Sequence, residues 1–180
     1  TGDIEIRSRE RLSSDDWTVH AVARCRKPVE HASDRQIWRA NEGESAKLSS
    51  LEVYGTAEKF GLQYGPHFQL LREARVFGRN TVEVDLKAAE APAHPYLTYN
   101  LNPFSVDAVF HGLVAMFDQL SGSDAGSPYI PVRFGSVRVG ARAKPITRAV
   151  IEIERFSGFS IKVNFRMFGE DGEIVASFDD

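Results

Sequence analysis

The sequence predicts an α+β fold, with one buried helix set among antiparallel strands. Two observations carry this. Between Val106 and Leu120 the polar side chains are only Asp107, His111, Asp118 and Gln119, and a helix apolar on nearly all sides is a buried helix. Before and after it come short runs, alternating or rich in β-branched and aromatic residues and divided by polar turns, which is the pattern of paired strands.

The elements follow in order. Ile4 to Ser8 and Trp17 to Arg26 alternate across a polar turn and read as a hairpin. Pro28 to Ser50 is polar and charged with little periodicity, and reads as a linker in which Trp38 is the apolar exception. Leu51 to Leu62 has room for a short helix at Thr56 to Phe60. Phe68 to Phe77 and Thr81 to Leu86 read as strands joined at Gly78-Arg79-Asn80. Lys87 to Asn100 is a loop rich in Ala and Pro that holds His94-Pro95, and Ser121 to Pro128 is a Gly/Ser loop after the central helix. Four strand-like runs close the sequence: Ile130 to Val139, Ala149 to Phe156, Ser160 to Phe168 and Glu173 to Phe178, the last two joined by a turn at Gly169 to Gly172. Strand-like sequence at both ends reads as a piece cut from a larger polypeptide.

Composition narrows the function. The 180 residues are enough for one ordinary domain, or one and a half small ones. An apolar fraction of 42% and twelve Phe supply a core. A formal net charge of -3 argues against a general nucleic-acid binder, and Arg24-Cys25-Arg26-Lys27 reads as a solvated strand end. One cysteine, Cys25, excludes an internal disulfide framework and a cysteine-built zinc site, and fits a cytoplasmic location. No apolar run is long enough to cross a membrane as a helix, and no phosphate loop or dinucleotide fingerprint is present.

The chemistry centres on Asn102-Pro103-Phe104-Ser105-Val106-Asp107-Ala108-Val109-Phe110-His111, with Tyr64-Gly65-Pro66-His67-Phe68 upstream. Asp107 comes at the helix start and His111 lies one turn on, on the same face. A buried carboxylate is costly as an anion and would hold its proton near neutral pH, which suits a general acid. The competing reading is an N-terminal capping Asp above a satisfied core histidine. For the upstream segment it is a tight turn whose Tyr and Phe simply pack.

Three segments in order resemble the dehydratase domain of modular polyketide synthases. Tyr64-Gly65-Pro66-His67-Phe68 matches that family's Tyr-Gly-Pro-x-Phe motif. Asp107-Ala108-Val109-Phe110-His111 matches its Asp-x-x-x-Gln/His motif. Tyr129-Ile130-Pro131-Val132-Arg133-Phe134 resembles its Leu-Pro-centred strand start. The resemblance covers roughly Leu51 to Asp180 and implies a double hotdog, in which a long helix is wrapped by a curved antiparallel sheet in each half. On that reading residues 1–28 are the terminal strands of the first hotdog, 29–50 a linker and 51–180 the second hotdog.

The resemblance implies removal of water from 3-hydroxyacyl chains on acyl carrier protein. It implies Asp107 as the acid and His111 as the residue that orients it, with Tyr64, Gly65, Pro66, Phe68 and Pro131 along the substrate path. It implies no metal or organic cofactor beyond the carrier's phosphopantetheine arm. The implied partners are acyl carrier protein, the other synthase domains and the N-terminal hotdog half, in a dimeric parent, with neither nucleic acid nor membrane. The family's base is a histidine in a His-x-x-x-Gly-x-x-x-x-Pro motif, and none of His20, His31, His67, His94 or His111 lies in one. The expected chain is therefore inactive alone. One departure stands out: Asn102-Pro103 replaces the family's common His-Pro pair, and Asn hydrogen-bonds but does not titrate. Isomerising or cyclising variants, and a degenerate acyl-binding hotdog, are the alternatives on the same scaffold.

Overall fold

The computed structural model describes residues 2–26, 43–88, 99–117, 129–140, 144–157 and 160–179. They fall into two units, Thr1–Asp34 and Arg35–Asp180. The first is the expected hairpin, β1 (Gly2–Ser8) antiparallel to β2 (Thr18–Cys25), with Ile4 opposite Ala23 and a bulge between Ile6 and Arg7. Every residue of both strands is exposed, Ile4, Ile6, Val19 and Val22 included.

The second unit is a seven-stranded antiparallel sheet against a short helix and a longer helical stretch. Its strands are β3 (Glu44–Ser49), β4 (Leu71–Phe77), β5 (Thr81–Leu86), β6 (Ser136–Val139), β7 (Arg148–Ser157), β8 (Ser160–Phe168) and β9 (Ile174–Asp179), in the order β3-β4-β5-β7-β8-β9-β6. One face is apolar: Ala74, Val76, Val82, Val84, Ala149 and Ile151 are fully buried. Alternate positions carry charge, and Arg75 reaches Glu73, Glu83 and Asp85 at 2.7, 2.5 and 2.9 Å. Period two thus separates core from solvent.

β3 lies inside the segment read as linker. Ala46 and Leu48 tuck partly under the sheet edge opposite Val76 and Ala74. Trp38 and the rest of that segment up to residue 42 lie outside the described residues, as do His94-Pro95, the Ser121 to Pro128 loop, Asp118 and Gln119.

Helix α1 (Ser50–Lys59) starts six residues before the expected Thr56. Ser49 and Glu52 form a capping box: the Ser49 N–H donates to Glu52 Oε2 at 2.7 Å, and the Glu52 N–H donates to Ser49 Oγ at 3.4 Å. At the other end Gly61 takes φ +79, its N–H donates to Glu58 O and that of Leu62 to Ala57 O. This is a Schellman close, which turns the chain into the Tyr64-Gly65-Pro66 segment.

Helix α2 (Pro103–Phe110) begins three residues earlier than expected and tightens into a 3-10 helix over His111–Met116. Asn102 is its N-cap: the side-chain oxygen accepts from the N–H groups of Phe104 and Ser105 at 2.9 and 3.3 Å. Pro103 fills the first helical position, where no N–H is needed. Asp107 is therefore not the cap. The helical stretch lies against the apolar sheet face with Ala108, Val109, Val114 and Met116 buried. Gly112 sets the approach, because a Cβ there would stand 2.4 Å from Ile151 Cδ1 and 2.7 Å from Val84 Cγ1.

The expected strand from Ile130 to Val139 is shorter. Only Ser136–Val139 pairs, with β9, and 130–135 is exposed irregular chain. Pro131 starts no strand; it has no N–H to give a ladder.

Candidate functional site

The helical stretch presents Asp107 and His111 one turn apart, and their side chains meet: His111 Nε2 lies 3.0 Å from Asp107 Oδ2. Their surroundings differ. The His111 side chain is 1% exposed, that of Asp107 41%. The sequence had implied a buried carboxylate. Instead, Ser105, Ala108 and Val109 take the buried face of α2, while Val106, Asp107 and Phe110 are half-buried. The carboxyl group thus meets solution on one side and a buried imidazole on the other.

Behind His111 stands Tyr54 of α1, a residue the sequence reading passed over. Its hydroxyl lies 3.2 Å from His111 Nδ1, accepts from the Leu71 N–H at 3.1 Å and comes within 3.3 Å of Phe68 O. Burial, more than any neighbouring charge, pushes the Tyr54 phenol up to about 12. The signal for it was present: the Ser49-x-x-Glu52 capping box extends α1 back over Tyr54.

Tyr64 covers the imidazole from a second side, with ring centroids 3.7 Å apart and planes tilted by 39°. Its phenol is raised by burial first and by the Asp107 charge second, which marks the two as neighbours. Its hydroxyl makes no hydrogen bond to any described residue and is free to donate to a ligand. Gln69 fixes the turn by donating to the Tyr64 carbonyl at 2.8 Å.

Pro66 opens a single 3-10 turn, Pro66–Phe68. Phe68, still 39% exposed, packs edge-on against Phe104 of α2, with centroids 4.9 Å apart. Gly65 has an ordinary φ of −67, and a Cβ there would meet nothing within 4 Å. The space beside it is open to a ligand. His67 is exposed. Pro131 is exposed too, three residues before Phe134, which stacks on Phe110 of α2 at 6.0 Å. The structure therefore gathers Tyr64, Asp107 and His111 through direct contacts, joins Phe68 to them by way of Tyr54 and Phe104, and gives Pro131 no hydrogen bond or ring contact with them among the described residues. Among the described residues no three or more His, Cys, Asp or Glu side chains are grouped to hold a metal ion, and no helix is long and apolar enough to cross a membrane.

Known proteins share this fold. A family model described as polyketide synthase dehydratase N-terminal domain matches residues 30–180. The hybrid PKS-NRPS synthetase pyvA of Aspergillus violaceofuscus is 28% identical over 156 residues, which are 82% of this chain and 4% of that protein. The dehydratase domain of a mycocerosic acid synthase-like PKS superposes with a TM-score of 0.78 at 18% identity, over 98% of this chain and 62% of that one. A trans-AT PKS dehydratase domain from Brevibacillus brevis gives 0.79 at 19% identity, with the same 98% and 62% coverage. The dehydratase domain of PpsC from Mycobacterium tuberculosis, solved in complex with C12:1-CoA, gives 0.72 at 22% identity, over 98% and 61%. The chain thus spans about three-fifths of the solved domains and a small part of the synthetase. These likenesses establish the hotdog fold.

Proposed function

The chain belongs to the polyketide synthase dehydratase family, and from that premise we propose that it is the acid-bearing second hotdog of such a domain, acting on 3-hydroxyacyl thioesters. The observation that carries this is the Asp107 carboxyl, open to a ligand on one side and held 3.0 Å from a buried imidazole on the other. The family model's description speaks of an N-terminal domain. The second-half assignment is ours and rests on the order of the Tyr64 and Asp107 motifs.

The elimination needs two groups. A base takes the proton from C2 of the acyl chain. The electron pair left there forms the C2=C3 double bond as the C3–O bond breaks. Asp107 gives its proton to the departing hydroxyl, which leaves as water, and remains as carboxylate. The base ends protonated, and transfer of that proton back resets the pair. No histidine of this chain sits in the family's base motif, so the base is a histidine elsewhere in the parent polypeptide. His111 lies on the far side of Asp107 from the open space and is suited to orient it. Tyr64 donates toward the thioester carbonyl, and Phe68 and Phe104 line the acyl path. The substrate arrives on the phosphopantetheine arm of an acyl carrier protein.

The test is to give the parent synthase a carrier-bound 3-hydroxyacyl chain and follow the loss of water by mass spectrometry. Dehydration that disappears on Asp107→Asn supports the reading. A shifted double bond or a closed ring as product would mark a variant enzyme. Acyl binding without turnover would mark a degenerate binder.

A further inference from the structure

The geometry assigns Tyr54 the role of a positioning residue: its hydroxyl donates to His111 Nδ1, so that Nε2 carries the ring proton, fastens Oδ2 of Asp107 and leaves Oδ1 as the oxygen that delivers a proton. The inference rests on Asp107 being the acid, and it concerns a residue on a different helix.

Two hydrogen-bonding arrangements are open to the chain Tyr54–His111–Asp107. In the first, the Tyr54 O–H donates to Nδ1, and the Nε2–H donates to Oδ2. In the second, the Tyr54 O–H turns to Phe68 O, Nδ1–H donates to the Tyr54 oxygen, and Nε2 must accept from a proton on Oδ2. The distances from the Tyr54 oxygen to Nδ1 and to Phe68 O, 3.2 and 3.3 Å, do not separate them. The other partners do. Phe68 O already accepts from the Leu70 N–H at 2.9 Å. His111 Nδ1 is buried, and Tyr54 is its one partner among the described residues. Once Asp107 has given up its proton, both of its oxygens only accept, so Nε2 must donate to Oδ2. The neutral ring's Nδ1 is then a buried acceptor whose donor is the Tyr54 O–H, and leaving it bare would cost more than leaving Phe68 O with one bond out of two. The Leu71 N–H occupies the Tyr54 oxygen at 3.1 Å in either arrangement. With Asp107 as carboxylate, only the first arrangement satisfies every group, and a proton that returns to Asp107 finds Oδ2 already taken by the Nε2–H.

The consequence is directional. With Nε2–H on Oδ2, the acid proton resides on Oδ1, the oxygen His111 does not touch. In the second arrangement the proton lies between Oδ2 and the imidazole, pointed away from any substrate. Tyr54 therefore decides which carboxyl oxygen is the acid without touching substrate itself. Tyr64 is the other titratable side chain on the ring, and it meets the ring face rather than either nitrogen.

Two measurements test this. Nitrogen-15 NMR of the imidazoles in the labelled chain should show His111 with a bare Nδ1 and a protonated Nε2. A protonated Nδ1 in the neutral ring overturns the inference. In the parent synthase, Tyr54→Phe keeps the ring but not the hydroxyl. It should lower kcat about tenfold, the scale of one hydrogen bond, while KM stays within about twofold. Unchanged kcat overturns the inference even if the melting temperature falls. Asp107→Asn run alongside separates the two readings. If that variant keeps its turnover, the acid assignment fails and the NMR result alone judges Tyr54. If it is silent while Tyr54→Phe is fully active, the acid assignment stands and this inference falls.

Discussion

Two successive turns of one helical stretch meet their surroundings in opposite ways. Around Asp107 the helix is held by its cap, Asn102, and the carboxyl group is 41% exposed. Around His111 the chain is pressed on the sheet: the imidazole is 1% exposed, and Gly112 has no room for even a methyl group. The first turn keeps a carboxyl group accessible, and the second fixes the imidazole that it meets. On the function proposed above, a single helix thereby supplies both the acid and its rigid support, which a site on a loop would supply less precisely in position. The difference predicts that changes in the first turn act on turnover and changes in the second act on stability.

The largest effect belongs to the first turn. Asp107→Asn keeps the shape and can still accept from His111, but has no acid proton. Turnover on a carrier-bound 3-hydroxyacyl chain should fall by ~10²-fold or more, while the melting temperature stays near wild type. A large drop in melting temperature would break the comparison by showing that this turn is structural too.

His111 is where the two behaviours meet. Gln at this position presents an amide N–H to Asp107 and a carbonyl to the Tyr54 hydroxyl, so His111→Gln should retain most activity. His111→Ala leaves both partners bare and opens a cavity, and should cost roughly 2–4 kcal/mol of stability along with activity. Chemical denaturation and kinetics on both variants decide it. Equal damage from Gln and Ala would mean that the imidazole itself moves a proton.

Much of this was legible in the sequence because it was local. The alternations of Ile4 to Ser8, Thr81 to Leu86 and Ser160 to Phe168 each report a strand without knowledge of its partner. Asp107 and His111 share a face by helical spacing alone. What was not legible depends on distant partners. β3 has only Ala46 and Leu48 to mark it, and becomes a strand because β4 offers an edge. Ile130 to Phe134 looks like a strand, but Pro131 removes a donor and none of the described strands pairs with it. Asp107 seemed buried because its helix is apolar, but which face the sheet covers is a tertiary fact. Tyr54 was hidden for the same reason, since its role exists only where α1 packs beside His111. Its helix start was in plain view as Ser49-x-x-Glu52.

Gly112 sharpens the comparison on the structural side. Gly112→Ala would drive a methyl group onto Ile151 Cδ1 and Val84 Cγ1. The Ile151 tip can swing, but Val84 is stiff at χ1 and buried in β5. The variant should lose roughly 1–3 kcal/mol, the usual range for overpacking. Its remaining folded fraction should turn over at close to the wild-type rate. If kcat instead falls in proportion to stability, the second turn is shaping the acid as well as supporting it.

The smallest effect tests the departure at Asn102. Its side-chain oxygen takes two N–H groups at the start of α2, so its work in this structure is that of a cap. Asn102→Ala should cost about 1 kcal/mol, and Asn102→Asp, an equally good cap, should cost almost nothing. Neither should change turnover by more than a few-fold, because Asp107 lies more than a full turn further along the helix and His111 holds it independently. Denaturation midpoints and steady-state rates for the pair separate the possibilities. If the Asp variant is stable but slow, position 102 reaches the substrate as well as the helix end. The cap would then be only part of why Asn is tolerated where the family commonly has His.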